Sequence, residues 1–138
     1  MEQQDYLKRQ IDQIGRILGQ ILTDLAGFKN KGQINDGIEL TNQTLKNELD
    51  INITELAEIR KEDFITTLKS KKNLTNENIG MFAEILLLVA ESSHDVNRSL
   101  YEKCLIIYEY LEKEENVYSL DRQWKIKRIK NVLASCLC

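Results

Sequence analysis

Only one side chain in this sequence of 138 residues titrates near neutrality when unperturbed, His94, so proton transfer at physiological pH would fall to it. Its setting, Ser92-Ser93-His94-Asp95 between two helical stretches, suits a turn and a helix N-cap. A catalytic triad would further need a nucleophile and an orienting carboxylate from elsewhere in the fold. Cys136-Leu137-Cys138 offers two thiols, but a structural zinc site needs a second pair. The double-cysteine ending of lipidated small GTPases would come with a phosphate loop, G-x-x-x-x-G-K-S/T, which is missing. Cys136 therefore reads as a helix seam residue and Cys138 as a terminal thiol. The acid pairs Glu62-Asp63 and Glu114-Glu115 are sequence neighbours, about 100° apart around a helix, so neither forms a facing pair of the glycosidase kind.

The remaining candidate for chemistry is a basic stretch with an aromatic inside it: Arg122, Lys125, Lys127, Arg128 and Lys130 around Trp124. Cations in such a run could neutralise phosphates while the indole stacks on a base, which makes a nucleic-acid interface. The same charges also suit a solvated helix face paired with the preceding acidic residues Glu112, Glu114 and Glu115. This second account is the simpler one. No motif calls for a cofactor or a metal, and a non-enzymatic role is expected.

The elements that would position these residues are helical. There is no proline, and 42% of the residues are hydrophobic, enough for a core without disulfides or a structural metal. No apolar run reaches the length of a membrane span. A net charge of −3 is too small to steer the whole molecule toward nucleic acid or anionic lipid. Three cysteines without a secretory pattern at the N-terminus suit a reducing compartment, so a cytoplasmic, single-domain protein is expected.

Within residues 3–28, Leu7, Ile11, Ile14, Leu18, Ile21, Leu25 and Phe28 recur at spacings of four and three, an unbroken apolar seam on one long helix. Gly15 and Gly19 lie beside the seam, where each costs about 1 kcal/mol relative to alanine. Close approach of a further helix would offset that cost, either its copy in a second chain, which would make a homodimer, or another helix of the same chain in a monomer. After a break at residues 30–32, Ile34, Ile38, Thr41, Leu45 and Leu49 mark a second helix folding back on the first; together they form a hairpin over residues 3–49. Residues 50–54 read as a loop, Thr54 as the cap of a short helix, and residues 61–70 as another with Phe64, Ile65 and Leu68 inward. Thr75 caps a helix over 76–91 that is apolar on most sides; residues 96–113 form a second interior helix. Ser119 caps a last helix with Ile126, Ile129, Val132, Leu133 and Cys136 inward and with Leu120 and Trp124 off the seam.

The run Tyr101-Glu102-Lys103-Cys104-Leu105 resembles the second helix of a tetratricopeptide repeat, in which a small residue at the position of Cys104 admits the neighbouring helix. The match covers half of one repeat; Ile85, Asn97 and Glu109 stand where the repeat has two small residues and a proline. The opening Gln4-Asp5-Tyr6-Leu7-Lys8-Arg9-Gln10-Ile11 resembles small uncharacterised helical bacterial proteins with degenerate repeats of this kind. That resemblance implies a fold and no activity. The expectation is an all-α protein, either a right-handed helical stack over residues 75–138 behind the hairpin or an irregular bundle. Such a protein would present a face to a peptide or helix of a protein partner, with Gly15, Gly19 and Trp124 as contact positions. Nucleic-acid binding through the basic helix is the alternative.

Overall fold

The computed structural model describes residues 2–92, 97–115 and 119–135, with side chains from residue 5 onward. Seven α-helices follow in order: α1 (Glu2–Asn30), α2 (Ile34–Leu49), α3 (Ile53–Ala57), α4 (Lys61–Thr66), α5 (Asn76–Ser92), α6 (Arg98–Glu115) and α7 (Leu120–Ser135). A π-helical turn, Thr67–Lys71, extends α4, and no strand occurs among the described residues. The protein is an all-α helical bundle. His94, Cys136 and Cys138 lie outside the described residues.

Helix α5 occupies the centre because its own sequence leaves it only a narrow polar strip, where Glu77 and Glu84 are exposed: Ile79, Phe82, Ala83, Ile85, Leu86, Leu87, Val89 and Ala90 are all buried. Helices α1 and α6 pack against it, and α7 packs on α6. The expected cap is present, with the Asn78 amide donating to Thr75 Oγ1 at 3.2 Å. Ser119 caps α7 in the same way, accepting from the Arg122 amide at 3.2 Å. Cys104 is fully buried where α6 crosses α5, and its thiol donates to the Ala83 carbonyl at 3.7 Å. Burial pushes the Cys104 thiol pKa well above its ordinary value.

The N-terminal hairpin turns at Gly32, whose φ of +72° is the left-handed conformation that glycine adopts without strain. The Gln33 amide reaches back to the Phe28 carbonyl at 2.8 Å and the Gly32 amide to Lys29 at 3.1 Å, closing α1 with a Schellman motif. Gly37 then allows α2 to approach: a Cβ there would stand 2.7 Å from Phe28 Cβ. Three local details differ from the sequence reading. Asn52, not Thr54, caps α3, its Oδ1 accepting from the Glu55 amide at 3.1 Å. Asn97 caps α6, accepting from the Leu100 amide at 3.2 Å. The helix expected over 61–70 loosens into the π turn after Thr66, closed by the Lys72 amide on the Thr67 carbonyl at 3.2 Å.

The larger difference concerns the seam of α1. Leu18, Ile21 and Leu25 are buried, yet Leu7 and Ile11, earlier on the same seam, are exposed. Helix α2 has 16 residues against 29 in α1, about 24 Å against about 43 Å, so it covers only the second half.

Three substitutions check this packing. No atom of a neighbouring element stands within 4 Å of where a methyl group on Gly19 would lie, so Gly19→Ala should gain about 0.5–1 kcal/mol from helix propensity. Gly37→Ala should lose about 1–3 kcal/mol despite the same propensity gain, because Phe28 cannot retreat. Chemical denaturation of both variants tests the opposite signs. Tyr108, whose buried hydroxyl has no hydrogen-bond partner among the described residues, should give a Tyr108→Phe variant more stable by about 1 kcal/mol.

Candidate functional site

The basic stretch lies along α7 and is largely engaged within the chain. Arg122 reaches Glu112 at 3.2 Å and Glu115 at 2.8 Å. Burial lowers the pKa of Arg122, but hydrogen bonds and charge from Glu115 and Glu112 outweigh it and hold the pKa above its usual value. Lys125 bridges Asp121 at 3.0 Å and Glu84 at 3.3 Å, and Arg128 pairs with Glu91. These contacts fasten α7 to α6 and α5. Lys127 and Lys130 are exposed and form no ion pair among the described residues. Trp124 is 63% exposed, with the Arg128 guanidinium 5.7 Å from its ring centre. Of the five cations, three are paired with carboxylates in place, but only Arg122 pairs with the acidic cluster over 112–115 that precedes the helix; Lys125 and Arg128 find Asp121, Glu84 and Glu91 instead.

Gly15 and Gly19 have separate environments. A Cβ on Gly15 would stand 3.2 Å from Asn78 Oδ1 and 3.7 Å from Met81 Cε, so the helix admitted at Gly15 is α5 of the same chain. Asn78 is buried there and donates from Nδ2 to the Ile11 carbonyl at 3.3 Å. Gly19 meets nothing within 4 Å.

The site that sequence reasoning missed is a groove of about 1250 Å³ beside the uncovered half of α1. One wall is α1, contributing Tyr6, Leu7, Gln10, Ile11, Ile14 and Ile17; one end is the C-terminus of α2. The opposite wall is the π turn and the segment after it, with Lys69, Lys71, Lys72 and Leu74. Tyr6, Leu7 and Ile11 are 61%, 55% and 38% exposed, half of the large apolar side chains exposed among the described residues. A local clustering of this kind marks an interaction surface more often than a solvated face.

Two of the three lysines on the far wall are held by the fold. Lys69 donates to the Tyr110 hydroxyl at 2.8 Å, and that hydroxyl donates to Asn76 Oδ1 at 2.9 Å. The bond to Tyr110 holds the Lys69 pKa above its usual value. Lys72 donates to the Asp50 carbonyl at the left-handed end of α2, with the Asp50 carboxylate 3.9 Å away. Lys71 is exposed and unpaired among the described residues. The run Lys69-Ser70-Lys71-Lys72 was the one sequence signal for this wall, but nothing in it shows that the chain turns these residues toward α1.

Among the described residues, no group of three or more His, Cys, Asp or Glu side chains converges as metal ligands do, and no helix is long and apolar enough to cross a membrane.

The two classes of α7 cation respond differently to truncation. Arg122→Ala should cost about 1–2 kcal/mol, since it strands Glu112 beside the α6–α7 contact. Lys127→Ala should change stability by less than about 0.5 kcal/mol. Thermal unfolding of the two variants distinguishes the classes.

Compared with known proteins, the chain matches no family model, no curated protein and no solved structure.

Proposed function

We propose that this chain is a non-enzymatic protein-interaction module of the cytoplasm, and that it binds an apolar segment of a partner protein in the groove beside α1. The observation that carries this reading is the exposure of Tyr6, Leu7 and Ile11 on a helix whose seam is buried from Leu18 to Leu25. Such a face gains from being covered, at about 25 cal/mol per Å² of apolar surface removed from water. The half-repeat resemblance supports the same class. Cys104 sits where α5 and α6 approach, the position at which tetratricopeptide helices need a small residue. The reducing compartment rests on the cysteine usage, with Cys104 a free, buried thiol.

A nucleic-acid role for α7 stands second. It is supported by exposed Trp124 with Lys127 and Lys130 at hand, and weakened by the carboxylates that already hold Arg122, Lys125 and Arg128. A second copy of the chain is the other candidate occupant of the groove.

Photocrosslinking separates these readings. Benzoylphenylalanine placed at Tyr6, and in a control at Leu120 on α7, is irradiated in the protein's own cells. The expected result is a discrete adduct with another protein from position 6, lost when Leu7→Asp is added. An adduct of twice the chain mass would assign the groove to a second copy. Adducts with RNA from position 120 alone would move the function to α7, and no adduct from position 6 would end the groove reading.

A further inference from the structure

We propose that the occupant of the groove is an amphipathic α-helix from another protein, lying antiparallel to α1 on the line of α2 and carrying carboxylates along the edge that faces the π turn. This deepens the interaction-module reading and rests on it.

The shape argument starts from α1. Gln10, Ile14, Ile17, Ile21 and Asp24 follow one another at spacings of four and three, on one stripe of the helix. The lower part of that stripe, from Ile17 to Asp24, faces Leu40, Thr41, Thr44 and Glu48 of α2. The upper part faces the groove. The groove is thus the place α2 would fill if it were longer. Asp50, with φ +52°, ends α2 and turns the chain toward α3 instead. A helix of about ten residues, about 15 Å long and about 10 Å across, has a volume of about 1200 Å³, which suits the space between the walls.

The charge argument comes from the opposite wall. Lys69 is tethered through one hydrogen bond to Tyr110, which leaves its other ammonium protons free, and Lys71 is unpaired among the described residues. Arg9 adds a third cation at the rim of α1. The acids at the rim are Glu48 and Asp50, and Asp50 already lies beside Lys72. The wall formed by the π turn therefore offers two cations to whatever fills the groove.

The same wall discriminates between occupants. A second copy of α1 would insert its Leu7, Ile11, Ile14 seam. Its acids Asp5 and Asp12 lie about 130° or more around the helix from the midline of that seam, so they would point away from Lys69 and Lys71. Lys8 is closer to the seam and would add a like charge. A foreign helix with Glu or Asp next to its apolar stripe meets both demands.

The test uses the full chain and three fluorescein-labelled, lactam-stapled peptides of about 14 residues. All share one leucine stripe, and the flanking edge carries Glu, Gln or Lys. Fluorescence anisotropy should show the Glu peptide binding at least about ten-fold more tightly than the Gln peptide, with the Lys peptide weakest. The Lys69→Glu, Lys71→Glu double variant should reverse the order of the Glu and Lys peptides. Both lysines are exposed, and circular dichroism should show the fold of that variant unchanged. Equal binding of all three peptides, abolished by Leu7→Asp, would overturn the acidic edge and leave the groove reading intact. Absence of binding by every peptide at millimolar concentration would overturn the helical occupant; the crosslink from position 6 then decides separately whether the groove binds a partner at all.

Discussion

Helix α5 carries apolar side chains around most of its circumference, and a helix of that kind is stable only when other elements remove that apolar surface from water. That demand organises the molecule. α1 takes one side of α5, where Gly15 lets the backbones approach and buried Asn78 ties the two helices through the Ile11 carbonyl. α6 takes another, with the small Cys104 set against Ala83. The remaining helices cover the coverers: α2 packs on α1, α3 and α4 on α6, and α7 on α6.

The covering of α1 is incomplete for a geometric reason. α1 must run the length of α5 and also reach its own partner α2, and a 29-residue helix cannot be matched by a 16-residue one. The surplus of about three and a half turns keeps the seam residues of a buried helix without the helix that would bury them. The π turn then places lysines across from the surplus. Its extra residue per turn is held by packing, since Phe64 and Leu68 on either side of the transition are both fully buried. An apolar strip facing a basic wall results from these two features together and from neither alone.

Helix α7 is attached by a different balance of forces. Only Ile126 and Ile129 are buried among its described residues, a small apolar contribution for 16 residues. Arg122, Lys125 and Arg128 make up part of the difference by pairing with carboxylates on α6 and α5, several of them partly shielded from solvent. Partial burial makes such pairs worth more than exposed ones, and it explains why a basic run in a weakly acidic chain can be structural. Leu120 and Trp124 stay outside because they fall away from the face that carries Ile126 and Ile129.

Helical class, the burial of most of the apolar circumference of 76–92, the caps at Thr75 and Ser119 and the seam of α7 from Ile126 to Leu133 were legible in the sequence, because helix periodicity and capping are decided by residues within a turn or two. The burial of Leu18, Ile21 and Leu25 was legible for the same reason. The exposure of Leu7 and Ile11 was not: they have the same period and the same chemistry as their buried neighbours, and only the reach of α2 separates them. Gly15 shows the same limit, for its position beside the seam announces a close approach without saying that α5 makes it. Asn52 outranked Thr54 as a cap once Ile51 and Ile53 were both drawn into the core, which fixed where α3 could begin. The lysines of 69–72 were visible as a charge run, but their placement across from Tyr6 and Leu7 depends on contacts about 60 residues apart in the chain, and periodicity carries no information at that range.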